Sequence, residues 1–157
     1  MQETERMEKL LKRVYDGEPW HGPSVKDILT GITPEMAAAT PIPGAHSIWE
    51  IVLHMTCWKK VVNQRLFALL LVEPKPEENW PIVPEINKST WNRSLLEMDY
   101  AQRKLCESLL GLSDSRLGDR VPGKKYNNYF MLHGLIQHDL YHAGQMALMK
   151  KMVTATP

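Results

Sequence analysis

The sequence predicts an all-α four-helix bundle with short extra helices and long crossover loops. Four stretches carry apolar residues at helical spacing, and no stretch alternates as a half-buried strand would. The segments between them are rich in proline or glycine and long enough to cross an end of a bundle.

The first helix is expected over 3–15, with Leu10, Leu11 and Val14 as its apolar face and Gly17 and Pro19 ending it. Residues 20–44 read as loop holding two short helices. One starts from Ser24 and the other from Thr33-Pro34-Glu35, where threonine suits the N-cap and proline the first helical position. Ser47-Ile48-Trp49-Glu50 spells a capping box. In that motif the serine hydroxyl accepts from a backbone N–H, and the glutamate accepts from the serine's own N–H. The second long helix is therefore expected over 47–72. Four prolines make 73–84 a loop. A third long helix is expected over 85–110, with Trp91, Leu95, Met98, Gln102, Leu105 and Leu109 along one stripe. Residues 111–125 are a second loop, and the last helix is expected over 127–153.

With 157 residues, 43% of them hydrophobic and 24% charged, the chain is expected to form one globular domain over 1–157. A net charge of +1 offers no basic field for nucleic acid. The longest apolar run, 66–72, is too short to span a bilayer, so no membrane partner is expected. Exposed apolar residues in that run are a candidate homodimer contact. The charged N-terminus lacks the apolar stretch of a signal peptide, so a cytoplasmic location is expected. Cys57 and Cys106 lie in separate helices outside any C-x-x-C pair and read as reduced thiols.

The segment His138-Asp139-Leu140-Tyr141-His142 carries the chemistry. Histidines four residues apart on a helix are separated by about 40° around its axis and about one turn along it, so both imidazoles can reach one ion. No His, Asp, Glu or Cys follows His142, so a third strong ligand has to come from upstream. His133 points away, about 140° from His138 and about 180° from His142. His21 sits in a loop, and His46 precedes the capping box. His54 lies inside the second long helix, with Glu50, Ile51, Trp58 and Val61 around it on an inward-looking stripe. A histidine in that position needs a hydrogen-bond partner or a metal. Together His54, His138 and His142 would bind one divalent transition metal and leave positions open. His-Asp-x-x-His is a poor match to the His-Glu-x-x-His of zinc proteases, because aspartate is one methylene shorter and no downstream ligand exists. A ferritin-like di-iron site is excluded, since the last helix has no glutamate.

These residues resemble the DinB-like superfamily of metal-binding four-helix bundles. That superfamily includes thiol-dependent S-transferases and relatives described as metal-dependent hydrolases. The resemblance rests on Trp20-His21-Gly22-Pro23-Ser24 and on Pro41-Ile42-Pro43-Gly44-Ala45-His46-Ser47-Ile48-Trp49-Glu50 leading to Leu53-His54. Its most specific part is His133-Gly134-Leu135-Ile136-Gln137-His138-Asp139-Leu140-Tyr141-His142-Ala143-Gly144-Gln145. It implies a three-histidine site with one ligand from the second long helix and two from the last, which are His54, His138 and His142 here. His46 and His133 recur in the pattern without an implied ligand role.

Three neutral imidazoles leave a divalent ion (zinc, nickel and iron all accept imidazole) near a net charge of +2, with open positions. Such an ion lowers the pKa of bound water toward about 7, or holds a thiol as its thiolate. Three functions are therefore in view. One is transfer of a low-molecular-weight thiol to an electrophilic small molecule, and another is metal-dependent hydrolysis. The third is a non-catalytic binding role in which the metal only staples the bundle. Glu50, Asp139 and Gln145 are the candidates to support the imidazoles from behind, with Glu50 and Asp139 accepting their N–H bonds. Trp49 and Trp58 read first as core residues of the bundle, with a place in a pocket wall as the alternative. Gly144 costs about 1 kcal/mol relative to alanine in a helix interior, and is expected where another helix approaches closely.

Overall fold

The computed structural model describes residues 1–155. Its helices are α1 (Glu3–Asp16), α2 (Val25–Leu29), α3 (Pro34–Ala38), α4 (Ile48–Arg65), α5 (Pro76–Asn79), α6 (Lys88–Leu110) and α7 (Asn128–Ala155). A 3-10 turn spans Asp114–Gly118, and an isolated antiparallel bridge pairs Arg120 with Asn127. Among the described residues there is no strand. The four long helices close a ring: α4 packs on α6 and α7, and α1 packs on α6 and α7. Thus α1 faces α4 across the core. The short helices cover the flanks, α2 on α1 and α7, α3 on α4 and α7, and α5 on α4.

Capping chemistry starts the helices where the sequence places it. Ser24, Thr33 and Ser47 each accept a backbone N–H three residues on, and Glu50 Oε2 accepts the Ser47 N–H at 2.7 Å. The third long helix begins at Lys88 rather than at 85, because the Asn87 side chain accepts from the Thr90 N–H at 3.0 Å and so serves as the N-cap. On α1 the buried face is Met7, Leu11, Val14 and Tyr15, while Leu10 turns outward.

The expected helix over 47–72 is too long. It ends at Arg65, and the apolar run behind it is irregular. Leu66 still reaches the core, but Leu69 and Leu70 are 93% and 80% exposed, so no neighbouring helix rewards continuation. Instead Arg65 Nε donates to the Val72 carbonyl at 2.8 Å and Arg65 Nη2 to Glu73 at 2.7 Å, which folds the run back on the helix end. Pro74 and Pro76 then keep the chain extended. The expected loops at 73–84 and 111–125 each contain a turn of helix.

Trp49 belongs to the core between α4 and α6 rather than to a pocket wall. It is fully buried, its Nε1–H donates to Ser94 Oγ at 3.0 Å, and its ring packs at 5.0 Å on that of Trp91. The centre of the bundle is polar. Lys59 is fully buried on α4 and donates to the Asp139 carboxylate of α7 and to Gln102 Oε1 of α6 at 2.7 Å. Its ammonium also lies 5.3 Å from the centre of the Tyr15 ring of α1. Burial pushes the Asp139 carboxyl up, but Lys59 and His138 together outweigh that and hold it below its ordinary value.

Gly144 does not mark a close helix approach. It is exposed, and a Cβ built on it meets nothing within 4 Å. Gly144→Ala is therefore expected to stabilise the fold by about 0.5–1 kcal/mol in urea denaturation. Lys59→Met and Asp139→Leu are each expected to cost about 3–5 kcal/mol, because each strands a buried charge. The double variant should lose less than either single one, and strictly additive losses would show that the two groups are uncoupled.

Candidate metal centre

Helices α4 and α7 bring His54, His138 and His142 together, with one ligating nitrogen of each lying within 4.8 Å of the others. His138 Nε2 lies 3.0 Å from His54 Nε2 and 3.1 Å from His142 Nε2. Each of the outer two rings is held from behind. His54 Nδ1–H donates to the Asn79 carbonyl at 2.8 Å, and His142 Nδ1–H donates to Gln145 Oε1 at 2.7 Å. Those acceptors place the ring hydrogen on Nδ1 and leave both Nε2 atoms as lone pairs. His138 Nε2 carries at most one hydrogen and can satisfy only one of them. A cation between the three nitrogens satisfies all three lone pairs. Zinc–nitrogen bonds of about 2.0–2.1 Å at tetrahedral angles put ligand nitrogens roughly 3.3 Å apart, near the spacing found here. The donor set thus fits a divalent transition ion.

Electrostatics favour the neutral, ligating form. Burial lowers His54 to about 4, the neighbouring histidines push it the same way, and the Asn79 carbonyl opposes them only in part. Burial also lowers His142, helped by His138 and opposed by Gln145.

The residues named as supports fare differently. Gln145 holds His142, as described. Asp139 lies beneath the site, with Oδ1 4.0 Å from His138 Nδ1, and both of those atoms are buried without a hydrogen-bond partner. Its other oxygen is committed to Lys59. Glu50 faces away from His54, toward the Ser47 N–H and toward His46 Nδ1 at 3.6 Å. Trp58 does line the site, and its Nε1–H donates to Asn79 Oδ1 at 2.8 Å. His133 packs on Tyr129 away from the triad, and His21 is exposed.

Two supports come from the end of the short helix α5, Asn79 as its last residue and Trp80 as its C-cap, and have no counterpart in the sequence reading. Asn79 uses its backbone on His54 and its side chain on Trp58. Trp80 is sandwiched between the rings of His46 and His54, at centroid distances of 3.6 and 3.8 Å and interplanar angles of 8°. His46 thus helps to position the site without being able to ligate it. The one available signal was a tryptophan stranded in the polar, proline-rich stretch Glu77-Glu78-Asn79-Trp80-Pro81.

The three histidines line a cavity of about 540 Å³, within the range that encloses small-molecule ligands. Trp58, Val62, Trp80, Phe130, Met131 and Leu135 are among its apolar wall, and among the described residues no carboxylate lines it. Among the described residues Arg65 is its one permanently charged lining residue, and its guanidinium donates to the Val72 carbonyl, to Glu73 and to the Tyr126 hydroxyl.

A family model described as the DinB superfamily matches residues 23–146, most of the chain, and the chain belongs to that superfamily. No curated protein and no solved structure gives a match.

Proposed function

We propose that this member of the DinB superfamily is a metal-dependent transferase that joins a low-molecular-weight thiol to an electrophilic small molecule. The observation that carries the reading is the convergence of three Nε2 atoms, two of them locked as lone pairs, in the lining of an apolar cavity. His54, His138 and His142 would hold the ion. When bound, the ion would lower the pKa of a thiol so that the thiolate predominates at neutral pH. In the reaction the thiol sulfur forms a bond to the electrophilic carbon. The thiol proton passes to solvent, and any leaving group departs with its bonding electron pair.

The protein's own part is orientation. Asn79 and Gln145 fix two imidazoles by their Nδ1–H bonds, and Trp80 clamps the His54 ring plane. The apolar wall would hold the carbon body of a substrate beside the sulfur. This arrangement favours transfer over hydrolysis. A hydrolase gains from a carboxylate base facing the attacking water. Here Asp139 is fully buried beneath the site with one oxygen on Lys59 and does not line the cavity, and Glu50 is engaged in the capping box.

His54→Ala and His138→Ala are each expected to abolish stoichiometric zinc in elemental analysis while helical circular dichroism is retained. Unchanged metal in both variants would remove the triad from consideration. Zinc-loaded protein incubated with a panel of cellular thiols and a chromogenic electrophile should form conjugate at a rate that a chelator abolishes. Conjugation that proceeds equally with chelator present would exclude the mechanism, and none with any thiol would exclude the transferase reading for those substrates.

A further inference from the structure

The buried lysine at the centre of the bundle also reaches the metal centre. We infer that Lys59 is a positioning residue for His138. By holding one oxygen of Asp139 it fixes the other as the acceptor for the His138 Nδ1–H, which the ring carries when Nε2 binds the ion. The inference rests on the three-histidine reading of the site.

The first argument is a gap in the support of the triad. His54 and His142 each have an oxygen behind them, from the Asn79 backbone and the Gln145 side chain. His138 has no such bond. Its Nε2 is the atom turned toward the other two rings, so as a ligand that nitrogen is a lone pair and the ring keeps its hydrogen on Nδ1. Among the described residues Nδ1 is buried and makes no hydrogen bond. A buried N–H left without an acceptor is costly.

The second argument is a matching atom. Asp139 is fully buried, and its Oδ1 also lacks a partner among the described residues. It stands 4.0 Å from His138 Nδ1, about 1 Å beyond a hydrogen bond. His138 is the least buried of the three histidines, so a small turn of its ring can close that gap. Asp139 itself is held. Its Oδ2 accepts from Lys59 Nζ, and that ammonium also donates to Gln102 Oε1 at 2.7 Å. Because Lys59 is fully buried, releasing the carboxylate would strand its charge. Oδ2 is thereby pinned to α4, and Oδ1 is presented to His138. A carboxylate behind a ligating imidazole fixes the ring and makes it a stronger donor to the ion.

The test uses the full chain, labelled with nitrogen-15 and loaded with zinc, and nuclear magnetic resonance locates the hydrogen of each imidazole. His138 is expected to carry its hydrogen on Nδ1, with a downfield resonance protected from solvent. A His138 ring without a hydrogen on Nδ1, or with one that exchanges as fast as that of the exposed His21, would overturn the inference. In Asp139→Asn the one side-chain oxygen stays with Lys59, which turns the amide NH2 toward the Nδ1–H. Zinc affinity of the folded variant is expected to fall by about 10–100-fold. Its His138 resonance should move while those of His54 and His142 stay, which a general loosening of the fold would not produce. Lys59→Met/Asp139→Asn frees the amide to present its oxygen and should regain most of the lost affinity. Unchanged affinity in Asp139→Asn, or a double variant as weak as the single one, would also overturn the inference. If the variants do not fold, the wild-type resonance decides alone. All of these outcomes leave the metal site standing. Failure of the wild-type protein to bind zinc, or equal zinc in His138→Ala, would overturn the three-histidine reading and this inference with it.

Discussion

One buried ammonium sets the geometry of the bundle. Lys59 of α4 is surrounded by the carboxylate of Asp139 on α7, the amide oxygen of Gln102 on α6 and the ring of Tyr15 on α1. Apolar side chains tolerate small slides and rotations, because their attraction has little direction. A desolvated ammonium does not, since losing one partner leaves a charge in a medium that cannot solvate it. Lys59 thus ties α4 to α6 and α7 by directed bonds and to α1 by a ring contact. Tyr15 extends the network outward. Its hydroxyl donates to Asp99 at 2.6 Å, and Lys26 approaches the same carboxylate at 3.1 Å. Burial and Asp99 both raise the tyrosine pKa, so the group stays a neutral donor.

The candidate metal centre inherits its position from that charge. Asp139 sits between the two histidines of α7 in sequence, and Lys59 lies five residues beyond His54 on α4. Pairing Lys59 with Asp139 ties α4 to α7 next to the histidines, and so helps bring His54 to the two imidazoles of α7. The ion pair works beneath the site, where water does not reach, and the triad faces the cavity. The segment between α4 and α6 completes the arrangement. Arg65 folds the chain back after the helix, and the returning chain delivers Asn79 and Trp80 onto the exposed sides of His54. Both ends of the His54 ring are then specified, Nδ1 by a carbonyl and Nε2 by the other histidines.

Much of this was legible before any coordinates. The caps at Ser24, Thr33 and Ser47 are local chemistry, and they fall where the residues indicate. The stripe from Trp91 to Leu109 is buried as its spacing requires, with Leu95 half-buried at its edge. The triad could be assembled because few histidines compete and helical angles exclude His133. Lys59 was also readable in principle. It continues the stripe Ile48, Val52, Met55, Val62, and a lysine on such a stripe is a buried charge awaiting its partner. The doublet Lys59-Lys60 hid it, because it looks like a solvated face. Gly144 misled in the opposite sense. A costly glycine invites a packing reason, and here the space around it is open.

Sequence alone determined that there are four long helices, the caps at Ser24, Thr33 and Ser47 and which histidines share a face, because each depends on spacing along a single chain and on bonds made within one turn. It also limited the third ligand to an upstream element, by the simple lack of donors after His142. Only the tertiary structure decided where α4 stops, what stands behind each imidazole and what fills the cavity wall. Those outcomes depend on which surfaces meet. The run 66–72 has the composition of a helix but no helix to face, and Asn79 and Trp80 act through contacts more than twenty residues from His54. Likewise, whether Asp139 serves an imidazole or a lysine cannot be read from its neighbours in the chain. It is settled by the side chain that α4 places against it.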